Sequence, residues 1–293
     1  MSHYSTITII GLGLIGSSLA RIIKSAKLAD HLILTDNDPQ VLAKATELGL
    51  GGQVESDIKR AVSDADLVVM AIPVGAMAKA TAQIAPSLKP GVVITDTGST
   101  KDSVINDITP NLPLDAVFIP SHPIAGTEYS GPEAGFESLF KERYWIVIPN
   151  KANAADLEQF IGFLRATGAI VETMDSAYHD KVLAITSHLP HLIAYTIVGT
   201  AFDLEKDLQN DVIRFSASGF RDFTRIASSD PIMWRDVFIN NADAVLEMLQ
   251  RFNEDLSYLQ RAIRWQESDK LEELFTRTRD IRKRIKDAGQ LDQ

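Results

Sequence analysis

The stretch ITIIGLGLIGSSLA, residues 7–20, constrains this chain more than any other segment. A β-branched apolar run enters a glycine-rich turn, and the turn opens into a helix. Gly11, Gly13 and Gly16 keep the G-x-G-x-x-G spacing. The first glycine makes the tight turn, the second lets the backbone approach a pyrophosphate, and the third lets helix and strand pack closely. The expected helix, 16–27, starts at Gly16 and offers unpaired N–H groups at its positive end, where phosphate binds; Leu14 and Ile15, in the turn before it, belong to the expected cofactor site. A second strand is expected at LILTD (32–36), ending on Asp36, 20 positions after Gly16. A carboxylate there accepts hydrogen bonds from a ribose diol and repels a 2′-phosphate. No Arg follows between 37 and 50, so the expected cofactor is NAD, with NADP disfavoured.

The pattern around this turn predicts an α/β fold: an N-terminal doubly wound Rossmann-type sheet (1–174) followed by an all-α substrate and dimerisation domain (175–293). Apolar runs at 6–11, 31–36, 66–72, 91–96, 116–120, 144–149 and 169–173 alternate with helical patterns. The early runs are continuous, as in strands buried on both faces. Ligands in such sheets lie beyond the carboxyl ends of the strands. AIPV (71–74, with Ile72 and Pro73), DTGSTK (96–101, with Thr97 and Gly98) and SHPIAG (121–126) should therefore face the cofactor. After residue 174 the strand signals stop. Asp175 or Ser176 can cap a helix that Pro190 should bend, and Ser229 or Asp230 with Pro231 can start another. From Phe238 through Ala242, Val245, Leu249, Phe252, Leu256 and Leu259 to Ile263, apolar residues recur in steps of four and three, predicting one helix of about 35 residues with a seam that wants a partner. A homodimer is the expected solution.

The net charge of −10 opposes nucleic-acid binding, and no membrane-spanning run or signal segment is expected. With no cysteine, disulfides, thiolate metal sites and cysteine nucleophiles are excluded. Together these place the expected protein in the cytoplasm.

His122 stands between Pro120 and Pro123 in an expected loop, and a histidine held there suits a general base. Ser99 can share a substrate oxygen with it or, through Ser99 and Asp102, form a capping box for the helix at 101–109. Ser187, His188 and His191 of SHLPH share one helix face. No further ligand cluster joins them, so no metal is expected and anion binding is the better functional reading. His179, nine residues before His188, falls on the opposite face and is set outside this group. In FRDFTR (220–225), Arg225 is either a carboxylate fork or a surface partner of Asp222.

GLGLIG, DTGSTK, SHPIAGTE, SHLPH and FRDFTRIASSDPIMW together resemble the prephenate dehydrogenase family, most of all its cyclohexadienyl dehydrogenases. The resemblance spans nearly the whole chain. It implies NAD-dependent oxidative decarboxylation of prephenate or arogenate in tyrosine biosynthesis. It implies that His122 takes the proton of the C4 hydroxyl and that Ser99 is its hydrogen-bonding partner. Arg225 would bind the ring carboxylate, with a loss of roughly 2–5 kcal/mol on its removal if that pair is desolvated. His191 would contact the substrate side chain, His188 and Ser187 would shape the pocket, and Thr127 would be a substrate-binding residue. Glu128 would be a gating partner for an arginine, and Trp234 would reach a neighbouring subunit's site. Tyrosine, the product, would compete at the active site. A β-hydroxyacid dehydrogenase or imine reductase, the enzymatic alternative, would use a second-domain lysine such as Lys181.

Overall fold

The computed structural model describes residues 3–203, 211–212 and 214–287. Two units divide the chain, Met1–Val245 and Leu246–Gln293. In the first, six parallel strands lie in the order β3-β2-β1-β4-β5-β6: β1 (Tyr4–Ile10), β2 (Ala29–Thr35), β3 (Gln53–Val54), β4 (Leu67–Met70), β5 (Val93–Asp96) and β6 (Val117–Phe118). Successive residues of β4 feed opposite cores. Leu67 and Val69 pack with Ile7, Ile9 and Leu19, whereas Val68 and Met70 pack with Ile10, Ile94 and Val104. Both faces are covered, which is why the runs read as continuous. The order reverses between β1 and β4, and a crevice forms there at the carboxyl edge. The short β3 carries too few apolar residues to register in the sequence.

The glycine turn leads from β1 into α1 (Leu14–Ser25). Gly11 has φ +93°, and a Cβ on it would sit 2.4 Å from the Ala71 carbonyl oxygen. A Cβ on Gly16 would sit 1.9 Å from the Gly11 carbonyl oxygen. No larger residue fits either place.

The last two expected strands do not join this sheet. They form a separate three-stranded sheet with an unexpected member: β7 (Ser121–Pro123) pairs antiparallel with β8 (Tyr144–Val147), which pairs parallel with β9 (Ile170–Thr173). His122 is thus a strand residue opposite Ile146, not a loop residue. Pro120 separates the two sheets, because it has no N–H to continue a ladder; its carbonyl accepts from Ile148 N–H at 2.9 Å.

The helices after residue 174 also depart from expectation in two places. Asp175 caps α7 (Ser176–Leu183) by accepting from Tyr178 N–H, as anticipated. The bend ahead of Pro190 is a π turn, Ala184–His188, and α8 (Leu189–Phe202) follows. Asp230 caps α10 (Pro231–Asn240); α9 (Ser218–Thr224) precedes it. The expected single long helix is broken at Asn241 (φ −122°, ψ 33°), so α11 (Ala242–Arg264) starts afresh. The break has a cause: the Asn241 amide donates to the Asp180 carbonyl at 2.9 Å and meets His188 Nδ1 at 3.1 Å, tertiary contacts that outweigh helical continuity. In the second unit, α12 (Ser268–Asp287) follows the remainder of α11. One further expectation fails: the continuous helical stretch Ser176–Phe202 is long and apolar enough to span a membrane by length and composition, with an 18-residue window of mean hydropathy 1.4. Its buried side carries His179, Asp180 and His188, and its outer face leaves Ile185, Ile197 and Phe202 exposed.

The two sheets are tied by one ion pair. Lys101, fully buried before α5 (Asp102–Ile108), reaches the equally buried Asp96 at the end of β5 and donates to the Ser121 carbonyl at 2.7 Å. Asp96 also accepts from Gly98 N–H at 2.8 Å and Ser121 N–H at 3.2 Å. Removing one partner leaves the other charged and buried, so Lys101→Met should cost about 3–5 kcal/mol of unfolding free energy in urea titration. A loss under about 1 kcal/mol would mean the pair is dispensable.

Candidate active site

At the carboxyl edge of the first sheet the glycine turn and Asp36 meet. Asp36 accepts from Leu12 N–H at 2.8 Å and from Asp38 N–H at 3.0 Å, which holds its carboxylate over the turn. A Cβ on Gly13 would meet nothing within 4 Å, so the turn is closed at Gly11 and Gly16 and open between them. Gly13 is the N-cap of α1 with no side-chain cap, and no acidic residue stands in the first turn. Leu14 and Ile15 begin that turn, half-buried. Open backbone, free N–H groups and a flanking carboxylate fit a dinucleotide's pyrophosphate and ribose. Ile72 and Pro73 follow β4, and the Ile72 side chain lies over Gly11. Thr97 N–H donates to the Met70 carbonyl at 3.2 Å, placing Thr97 and Gly98 beside the end of β4. All of the expected cofactor residues thus lie along one edge.

Beside the pair of sheets, α7 brings His179, which sequence spacing set aside, and Asp180, which the sequence reading did not single out. His122 Nδ1 lies 2.9 Å from His179 Nε2, and His179 Nδ1 lies 2.8 Å from Asp180 Oδ1. Asp180 also accepts from Lys101 N–H at 2.8 Å and Asp102 N–H at 2.9 Å. The start of α5 is therefore capped from α7, not by Ser99, and the expected capping box is absent. Ser99 is half-buried, and its hydroxyl makes no hydrogen bond among the described residues. His179 was misplaced because a uniform helix puts residues nine apart on opposite faces. The π turn between them advances by less per residue, which brings His179 and His188 to the same side. No sequence signal marks that turn.

The remaining candidates divide. His188 is fully buried against the edge of Trp234, with ring centroids 6.1 Å apart. Its ring also faces the Ser99 backbone, and Trp234 Nε1 is buried without a hydrogen-bond partner among the described residues. His191 stacks on Trp234 at 3.6 Å, and its Nδ1 meets the Ser187 carbonyl at 2.9 Å. Trp234 is therefore packed against rings of its own chain. Arg225 pairs with Glu128 at 2.8 Å rather than with Asp222. The Arg225 side chain is 58% exposed, so the desolvation behind the larger expected cost is not present in the single chain. Arg225 still reaches the histidine group, since its charge disfavours protonation of His191. Thr127 is exposed, and its hydroxyl accepts from Tyr129 N–H at 3.3 Å, a local turn contact. Lys181 is also exposed.

Four rings share one electrostatic character. Burial pushes His122 well below its ordinary value, and the His179, Lys101 and His188 charges add to this. Burial also lowers His179, against the opposing pull of Asp180. It lowers His188 to about 4 and, less deeply, His191. The unfolded chain takes up these protons near pH 6.5 whereas the fold keeps the rings neutral. Stability present above that pH should fall as the pH drops toward 4, by roughly 3 kcal/mol from His188 alone. Urea titrations at about pH 7.5 and about pH 5 check this, and equal stability at both would contradict it.

The chain's similarity to known proteins agrees with this geometry. Residues 19–173 match the prephenate dehydrogenase nucleotide-binding domain, and residues 175–277 match the prephenate dehydrogenase dimerization domain. The chain is 42% identical to a cyclohexadienyl dehydrogenase of Zymomonas mobilis, over 98% of both proteins. It is 33% identical to a prephenate dehydrogenase of Bacillus subtilis, over 94% of this chain and 75% of that protein. Among solved structures, prephenate dehydrogenase from Aquifex aeolicus, in complex with hydroxyphenyl propionate and NAD+, superposes with a TM-score of 0.89 at 29% identity, covering 96% of this chain and 98% of that one. The buried His122, the glycine turn and the helical second half thus have one common explanation: this dehydrogenase chain belongs to the prephenate dehydrogenase family.

Proposed function

We propose that this enzyme carries out the NAD-dependent oxidative decarboxylation of prephenate, arogenate or both, giving 4-hydroxyphenylpyruvate or tyrosine in tyrosine biosynthesis. The observation that carries the reading is a buried neutral imidazole, His122, just beyond the carboxyl edge where the glycine turn and Asp36 fit a dinucleotide. NAD held along the glycine turn and Asp36 would supply the hydride acceptor for C4 of the ring. His122 receives the proton of the C4 hydroxyl as that hydride leaves, and loss of carbon dioxide makes the ring aromatic. The Ser99 hydroxyl, without a hydrogen bond among the described residues, is available to the same oxygen.

Arg225 is the cation for the ring carboxylate. Glu128 holds it in the absence of substrate and so acts as its gate. His191, with Trp234 stacked against it, and His188 with Ser187 form the wall that meets the substrate side chain. Thr127 contributes through the turn that presents Glu128. The working division is 1–174 for the cofactor and 175–293 for substrate and dimerisation. A second copy of the chain covers the exposed apolar side chains of the helical half, among them Ile197, Phe202, Ile232 and Ile239. Tyrosine shares the ring and an anionic side chain with the substrates and competes with them.

Mixing the protein with prephenate or arogenate and NAD should yield NADH, and with NADP a much slower reaction. No turnover of either substrate with either cofactor would overturn the reading. Arg225→Ala should raise KM at least about tenfold, roughly 1.4 kcal/mol, with kcat within about threefold. Unchanged KM would remove Arg225 from the carboxylate site. Because His122 is held neutral, the acid limb of kcat/KM should lie below about pH 6.5 in a pH-rate series. An acid limb above that value would point to a different base.

A further inference from the structure

The side chain that orients a general base decides which of its nitrogens carries the lone pair. Here the hydrogen bonds leave one arrangement. Asp180 is met by three donors: Lys101 N–H and Asp102 N–H, which have no alternative to donating, and His179 at Nδ1. A carboxylate so placed accepts, so the hydrogen of the third contact belongs to His179 Nδ1. Neutral His179 then has its lone pair on Nε2, which faces His122 Nδ1 at 2.9 Å. Two lone pairs would repel at that distance, so His122 Nδ1 carries its hydrogen and Nε2 is left bare. We propose that Asp180 and His179 are positioning residues that fix His122 as the Nδ1–H tautomer, aim its Nε2 as the base, and stabilise the imidazolium formed when it takes a proton.

The proposal rests on the reading of His122 as proton acceptor and adds what makes it one. The proton taken from the substrate hydroxyl sits on His122 Nε2, not on Asp180, until it returns to the phenolate oxygen formed as carbon dioxide leaves. The Nδ1 hydrogen remains in its bond to His179, and Asp180 remains the acceptor at the far end. The charges facing the two rings come from Lys101 and Asp96 of the buried pair, from Asp180 and from His188. Lys101, His188 and any charge on His179 oppose a positive charge on His122, so the hydrogen bond to neutral, Asp180-backed His179 is the favourable interaction available to the imidazolium. The backbone keeps this line rigid: His122 sits in β7 opposite Ile146, and Asp180 is locked to α5 by two backbone donors. His179 and Asp180 are adjacent on α7, so one turn of helix sets the whole line.

Two substitutions separate orientation from packing. His179→Gln can place an amide oxygen where Nε2 stood and still accept from His122 Nδ1–H. His179→Phe fills the space but accepts nothing. For His179→Phe, kcat should fall at least about 30-fold with KM within about threefold and a little-changed unfolding midpoint. His179→Gln should recover kcat to within about fivefold of the parent. Equal kcat in the two variants, whether high or low, would overturn the proposal.

A second measurement needs no substrate. Long-range 1H–15N spectra of the histidine rings, with the His122 signals identified by their loss in His122→Gln, should show the Nδ1–H tautomer in the parent protein. The Nε2–H tautomer at His122 would overturn the proposal even if the enzyme turns over prephenate. The expected tautomer in a protein that turns over nothing would leave the relay standing and overturn the assigned reaction alone.

Discussion

A lysine ammonium with no contact to water is the constraint on which this site depends. Burying a charge costs several kcal/mol, and the cost is offset only if a counter-charge and further hydrogen bonds meet it. Lys101 meets Asp96 and the Ser121 carbonyl, and its own N–H is fixed by Asp180. Those partners lie at the end of β5, in β7 and on α7. The parallel sheet, the small mixed sheet and the first helix of the second half are thus pulled to one point, and His122 follows Ser121 directly. Burial opposes the charged form of both Asp96 and Lys101, so each depends on the other for its ionisation.

The same dry environment governs the histidines. In water an imidazole is about half protonated near pH 6.5 and a poor acceptor below it. Packed beside a buried cation, His122 stays neutral and keeps its lone pair. The catalytic potential of the site comes from exclusion of water and from the Lys101 charge as much as from the ring itself. The cost appears at Nε1 of Trp234, a polar atom turned inward without a partner among the described residues.

Much of this was legible in the amino-acid order, for identifiable reasons. The glycine turn, Asp36 and the strand ends at 70–74 and 96–98 are local features, written in consecutive residues. The Asp175 and Asp230 caps were readable for the same reason. What escaped was long-range. Asp180 caps a helix 78 and 79 residues earlier in the chain, so a local Ser-x-x-Asp pattern took the role in its place. His179 was set aside by uniform helical geometry that a π turn does not obey. The heptad pattern ran across Asn241, where contacts to Asp180 and His188 break the helix without a proline or glycine to announce it. The mixed sheet was merged with the parallel one because an apolar run shows that a strand is buried and not which neighbour it pairs with.

Asp36 carries a consequence for evolvability. Its carboxylate is a clip as well as a selector, since it closes the turn through Leu12 N–H while facing the place of the ribose. A lineage drifting toward the phosphorylated dinucleotide would have to surrender that clip together with the negative charge. An uncharged acceptor of similar length, such as asparagine, would separate the two burdens. Specificity and loop rigidity are therefore inherited together at this position.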